Sequence, residues 1–175
     1  NRTGNGELIR PVCGHRWADI AGRVLARSRG GGYPSPVPTD AHIHFCDLHA
    51  RDPDFPARFA ASGWSACAAS HRPTEFAWTE ALRDQGLVFF SSFGIHPQWP
   101  VMDHADFLAD LARSGRIAII GEAGFDFFGD VPERVRNPAN EATQRRAFEF
   151  QLELAERHGL PLLLHVLKAM DLVFE

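Results

Sequence analysis

The stretch TDAHIHF, Thr39–Phe45, alternates an aspartate and two histidines with three apolar residues. Successive side chains of a strand point to opposite faces. The pattern therefore predicts a short strand with Asp40, His42 and His44 on one face and Ala41, Ile43 and Phe45 on the other. The polar face has to meet water, a ligand or a metal. At a rise of ~3.3 Å per residue the two histidines start about 6.6 Å apart, near enough for both imidazoles to reach one ion. The plainer reading, two histidines lining a polar mouth, stays open beside it. Asp40 strengthens the metal reading, because a carboxylate next to a ligating histidine can fix its tautomer.

Outward from this strand the chain alternates short apolar runs with amphipathic segments. Strands are expected at Thr39–Phe45, Trp64–Ser70, Leu87–Ile95, Ile117–Gly121 and Leu160–His165, and helices at Pro56–Ser62, Pro73–Arg83, Ala105–Arg113 and Glu141–His158. In the last helix Phe148, Leu152 and Ala155 form one expected stripe, and Gly159 followed by Pro161 supplies a stop. A βα repeat of this kind implies a parallel sheet covered by helices. A complete (β/α)8 barrel takes about 250 residues, roughly 31 per unit. The 136 residues from Asp40 to Glu175 hold between four and five units. The expected fold is α/β, an incomplete (β/α)8 TIM-type barrel with about five of eight strands. Doubly wound folds usually announce a GxGxxG or GxxxxGK[ST] phosphate loop after the first strand, and neither occurs here.

Residues 1–38 read as an arginine-, glycine- and proline-rich extension that is flexible, with a helix expected within 17–29 on the spacing of Ile20, Val24 and Leu25. Residues 39–175 form the barrel body. Charge divides along the same line: the segment before Asp40 carries +4, and the remainder −8 of the total of −4. An acidic body makes a poor long groove for nucleic acid, whose non-specific affinity comes from Lys and Arg neutralising phosphates. Any such substrate must enter a small site or rely on bound cations. Three cysteines without CxxC spacing argue for a reducing compartment, by default the cytoplasm. No apolar run approaches the roughly 18 residues of a membrane span.

Functional groups of parallel α/β folds gather at the carboxyl ends of strands. His42 and His44 end the first strand. His96, in FGIHPQWP, ends the third, where a turn histidine at the surface is the competing reading. In RIAIIGEAGFD a buried run delivers Glu122 between Gly121 and Gly124, with Asp126 just beyond. A carboxylate there is costly unless paired, hydrogen-bonded or metal-bound. His165 ends the fifth strand, and alone it would read as a core histidine. Together these ends place a His/His/Glu/His set at one rim.

These segments resemble the TatD-related metal-dependent deoxyribonucleases. DAHIHF is similar to that family's first-strand motif, GIHPQW to its third-strand motif, IGEAGFD to its GExGxD motif, and QRRAFEFQLELAERHGLPLLLHVLKAMD to the helix leading into a further ligand. The resemblance implies that His42 and His44 hold one divalent ion, that Glu122 bridges two ions and is the catalytic carboxylate, and that His165 holds the second ion. It implies that His96 and Asp126 help place a substrate phosphate or support the site. Mg2+, Mn2+ or Zn2+ would serve as the two ions, and DNA ends or short oligonucleotides as the substrate of an exonuclease-like phosphodiester hydrolysis. The family's later histidine and aspartate ligands would lie downstream of Glu175. Its arginine two residues after the fifth-strand histidine is replaced here by Leu167, followed by Lys168. An amidohydrolase acting on a small cyclic amide would share the barrel, although such enzymes usually carry a bridging group where Glu122 stands. An inactive fragment is the third reading: five strands leave two exposed parallel edges. The oligomeric state is not read from the sequence.

Overall fold

The computed structural model describes residues 38–88 and 90–174. The helix expected within 17–29, and all of the extension except Pro38, lie outside the described residues. Among the described residues five strands alternate with helices: β1 (Thr39–Ile43), α1 (Phe45–Arg51), α2 (Phe55–Ser62), β2 (Ser65–Ser70), α3 (Pro73–Asp84), β3 (Phe90–Phe93), α4 (Ala105–Ser114), β4 (Ile119–Asp126), α5 (Pro138–His158) and β5 (Leu162–Leu167). Every pairing is parallel and the strand order is β1-β2-β3-β4-β5. A doubly wound sheet reverses its order at a switch point, whereas here each crossover advances one strand in the same direction. This is a partial (β/α)8 barrel.

Helix boundaries follow local chemistry. Pro73 and Pro138 each stand at the start of a helix, where the missing N–H is not needed. Asn137 caps α5 by accepting from the N–H groups of Ala139 and Asn140, and Gly159 ends it in the left-handed conformation. The helices bury Phe76, Leu108, Leu111 and Leu154 against Phe93 and Ile120 of the sheet. A second cluster joins Phe45 and Phe59 to Ile43 and Ala68, and a third joins Phe125 to Phe148 and Leu172. Each fully buried large apolar side chain contributes about 1.5–3 kcal/mol.

Four expectations change. β1 stops at Ile43, and its register with β2 shifts between Asp40 and Ile43, so strict alternation fails. Ala41 is exposed, and Phe45, fully buried, opens α1 instead of extending the strand. β4 begins later than expected but runs on to Asp126, because GEAGFD pairs with β5 as far as Asp126↔Leu167. Glycine and acidic residues are poor strand formers, and pairing overrides that preference. β3 is a four-residue strand, shorter than the Leu87–Ile95 run. On α5 the buried face is Gln144, Ala147, Phe148, Gln151, Leu154 and Ala155, while Leu152 is 45% exposed. The apolar stripe read from the sequence pointed to the wrong side of the helix at Leu152, because two glutamines occupy core positions. On β5, Leu164 and Leu167 stand exposed.

Candidate metal centre

All five strands deliver polar side chains to one end of the sheet. β1 brings His42 and, one residue past its end, His44; β2 is followed at once by His71, and β3 leads to His96. β4 supplies Glu122 and Asp126 from within the strand, and β5 supplies His165. Gly121 and Gly124 bracket Glu122 with φ of +142° and +143°, and a Cβ at either would stand 2.4 or 2.3 Å from a β5 carbonyl oxygen. Only glycine permits that backbone path, and the path turns the Glu122 side chain inward.

The Glu122 carboxylate is 1% exposed. Its Oε2 lies 3.2 Å from His42 Nε2, 3.1 Å from His44 Nε2 and 3.2 Å from His71 Nε2, with His96 Nε2 at 3.7 Å. Despite these separations, Oε2 has no aligned hydrogen-bond partner. The imidazoles crowd the oxygen without donating to it. Donor atoms that share an ion at bonds of about 2.0–2.1 Å stand about 3 Å apart, and the 3.1 Å between His42 Nε2 and His44 Nε2 matches that spacing. The set His42, His44 and Glu122 therefore fits a divalent cation, and a mixture of imidazole and carboxylate donors suits zinc, manganese or another transition ion. Glu122 also belongs to a second such group, with His71 and His96.

The remaining polar groups are held more tightly. His165 Nδ1 lies 3.2 Å from Glu122 Oε1, and its Nε2 lies 2.9 Å from Asp126 Oδ2, so both ring nitrogens face carboxylates. Asp126 is fully buried; its Oδ1 accepts from Phe128 N–H and its Oδ2 from Gln98 Nε2. His96 Nδ1 accepts from Gln98 N–H at 3.1 Å, which leaves the hydrogen of a neutral ring on Nε2. Asp40 accepts from the main-chain N–H of His42 rather than from its ring, so it orients the strand end and not a tautomer.

Behind the site, two glutamines of α5 bind the ends of the strands. Gln144 Oε1 accepts from Asp126 N–H and its Nε2 donates to Asp126 C=O; Gln151 does the same for Ile95. The β3–β4 ladder stops at Phe93↔Ile120, so these main-chain groups would otherwise lack partners.

Burial pushes the Glu122 carboxyl up, but the imidazoles of His165, His42, His44 and His71 outweigh it and hold the group far below the usual carboxylate range. Burial likewise pushes Asp126 up, and bonds from Gln98, Phe128 N–H and His165 more than reverse it. His44 is raised chiefly by the Glu122 carboxylate beside it, and His165 chiefly by its hydrogen bond to Glu122. Burial and the neighbouring His71 push His96 down to about 3.

All six residues singled out from the sequence, His42, His44, His96, Glu122, Asp126 and His165, meet in this cluster. His71 and the two glutamines were missed. His71 was within reach of the strand-end argument, since it immediately follows Ser70. Gln144 and Gln151 had no comparable signal, because polar residues on a long helix ordinarily face water.

Residues 39–175 match the family model described as TatD related DNase. A protein of Mycobacterium tuberculosis named "Uncharacterized metal-dependent hydrolase TatD" is 31% identical over 139 residues, which cover 72% of this chain and 50% of the relative. The "3'-5' ssDNA/RNA exonuclease TatD" of Edwardsiella piscicida is 37% identical over 84 residues, 46% of this chain and 29% of that protein. The crystal structure of YjjV, a TatD homologue from Escherichia coli K12, superimposes with a TM-score of 0.57 at 25% identity, covering 77% of this chain and 52% of that one. The chain spans about half the length of the relatives it matches most extensively. With a family match over residues 39–175, which include every strand that carries the donor cluster, the chain belongs to the TatD related DNase family.

Proposed function

We propose that this chain carries the metal-binding half of a metal-dependent phosphodiester hydrolase that acts on DNA ends or short oligonucleotides. One observation supports the reading above the others: a buried carboxylate oxygen, Glu122 Oε2, ringed by three imidazole nitrogens within 3.2 Å and bonded by none of them. Mg2+, Mn2+ or Zn2+ held by His42, His44 and Glu122, with Glu122 bridging to a second ion, would supply Lewis acidity toward a phosphoryl oxygen and acidify a water. The protein's own groups do the rest. His96, neutral and carrying its hydrogen on Nε2, donates toward an anionic substrate oxygen. Asp126 touches no substrate; with both oxygens occupied, it positions His165 and Gln98. His165, with Nδ1 3.2 Å from Glu122 Oε1 and Nε2 2.9 Å from Asp126 Oδ2, would hold the second ion, as the family resemblance implies.

Cations at this site offset the acidic character of the body, so a terminal nucleotide suits the molecule better than a long duplex. Among the described residues no helix is long and apolar enough to cross a membrane. Cys46 and Cys67 are free thiols, which suits a reducing compartment such as the cytoplasm. The test uses full-length protein, single-stranded DNA and added Mn2+ or Mg2+. Nucleotide release that disappears in Glu122→Gln is expected; absence of release with every divalent ion tried would overturn the reading.

A further inference from the structure

Two large aromatic side chains stand in solvent on the loops that leave the donor cluster. Trp99, in the loop after β3, is 56% exposed, and Phe128, just past β4, is 57% exposed. Neither loop is slack. Trp99 N–H donates to His96 C=O at 2.9 Å, Val101 N–H donates to Trp99 C=O at 2.8 Å, and Pro97 and Pro100 stiffen the same turn. Phe128 N–H is held by Asp126 Oδ1 at 2.8 Å, while Gln98 Nε2 donates to the other oxygen of that carboxylate at 2.7 Å. One buried carboxylate therefore ties both aromatic loops to the strand ends. Apolar surface held exposed beside a functional centre marks a binding surface.

The Trp99 ring lies close to the donors, its centroid 5.8 Å from that of His96, whose Nε2 is 3.7 Å from Glu122 Oε2. Phe128 carries a cation instead: Lys168 Nζ lies 5.0 Å from its ring centroid. Lys168 follows β5 directly, in a left-handed conformation at φ +56° that is uncommon for a lysine, and its C=O accepts from Arg136 Nη1 at 3.4 Å. Among the described residues no carboxylate pairs with the Lys168 ammonium. A purely apolar partner would cover the rings and leave this cation unanswered. A strand of nucleic acid answers both, since it offers bases to the rings and phosphates to the ammonium.

We propose that Trp99 and Phe128 are base-stacking residues for a single-stranded oligonucleotide, and that Lys168 takes a phosphate of the same strand. This rests on the phosphodiester reading above and names how its substrate is gripped away from the ions. Every base has a π-face, so the rings accept bases without regard to sequence. A duplex, whose bases already stack on one another, cannot use them.

The test uses the whole chain with Mn2+ and a fluorescently labelled oligothymidylate whose phosphorothioate linkages resist hydrolysis, set against an abasic strand with the same backbone. Fluorescence anisotropy gives the affinities. The wild type should bind the oligothymidylate about 100-fold more tightly than the abasic strand, at about 10-fold for each ring. Trp99→Leu and Phe128→Leu should each reduce the preference to about 10-fold, and Trp99→Phe should keep it. Lys168→Ala should weaken both strands alike and lower the slope of log affinity against log salt by about 0.7. Circular dichroism checks the folding of the variants, and the wild-type comparison stands without them. Equal binding of the two strands by the wild type would overturn this assignment and leave the functional reading standing. Binding of neither strand would sink the functional reading itself. Self-association that Trp99→Leu abolishes, with no base preference, would overturn the proposal by assigning the rings to a second copy of the chain.

Discussion

Gln151→Leu is the substitution that best separates this architecture from an ordinary apolar helix packing. Gln151 is fully buried; its Oε1 accepts from Ile95 N–H at 2.9 Å, and its Nε2 donates to Ile95 C=O at 3.0 Å and to Ala147 C=O at 3.1 Å. Leucine is of similar bulk and better suited to a core on transfer grounds alone, so a view of α5 as a greasy stripe predicts a neutral or stabilising change. The structure predicts the reverse. Two main-chain groups of Ile95 lose their side-chain partners where water cannot replace them, at about 1–3 kcal/mol each. Allowing about 1 kcal/mol for the amide no longer buried, the net loss should be about 3 kcal/mol, against a total stability of about 5–15 kcal/mol for a domain. Urea unfolding followed by circular dichroism is the assay: the midpoint should fall by about 1–2 M with the slope unchanged. Leu152→Ala, one residue away and facing solvent, should stay within about 0.5 kcal/mol. A midpoint for Gln151→Leu within error of the wild type would refute the reasoning. Gln144 makes the equivalent pair of bonds to Asp126. The seven-residue separation places the two glutamines about 10 Å apart, far enough for their losses to add, so the double substitution should cost about 6 kcal/mol.

Gly124→Ala should prevent folding or cost more than about 3 kcal/mol, because a Cβ would stand 2.3 Å from His165 C=O at a φ of +143°; soluble yield and urea midpoint report it. Mn2+ or Zn2+ at 100 times its dissociation constant should stabilise the wild type by about 2.7 kcal/mol, reversibly with a chelator, and Glu122→Gln should abolish the effect. Cys67 is buried and pushed up to about 11 by desolvation, and Cys46 reaches about 11 for the same reason, so iodoacetamide at pH 8 should modify neither until the protein is unfolded. Folding favours the protonated Cys67 thiol. Its contribution is complete below the unfolded value near 8.5 and is lost as pH climbs toward 11, so the thermal midpoint should fall across that interval. The exposed Arg136–Asp171 pair, by contrast, should be nearly silent: Asp171→Ala should leave the urea midpoint within error.

How far the sequence reveals the molecule depends on whether a residue's signal is local. The βα repeat shows because apolar runs and amphipathic helices each carry a period, and that period is set within a few residues. The strand-end donors show because a histidine or glutamate after an apolar run breaks its own context. What stays hidden is decided by partners far along the chain. Phe45 continues the alternation of TDAHIHF on paper but opens a helix in the fold, where it packs against Phe59 and Trp78. Gln151 looks like a solvent-facing residue until β3 ends at Phe93 and leaves Ile95 in need of it. The extension of β4 to Asp126 is invisible for the same reason, since its glycines and acidic residues gain strand geometry only from β5.

The same distinction explains how a buried carboxylate is tolerated here. Glu122 could not be placed by hydrophobic burial, which offers nothing to a charge. Its position follows from the rigid backbone on both sides of it: glycines that admit β5 at close range, and glutamines that tie down Ile95 and Asp126 from behind. The donors are therefore arranged before any ion arrives, and the strain of that arrangement remains as an unsatisfied Oε2 and an unsatisfied His71 Nδ1. Binding a cation relieves the first of these without requiring the strands to move. Affinity for the ion and stability of the strand ends should accordingly be coupled. Loosening Ile95 through Gln151→Leu should weaken metal binding as well as lower the urea midpoint, even though Gln151 touches none of the proposed ligands.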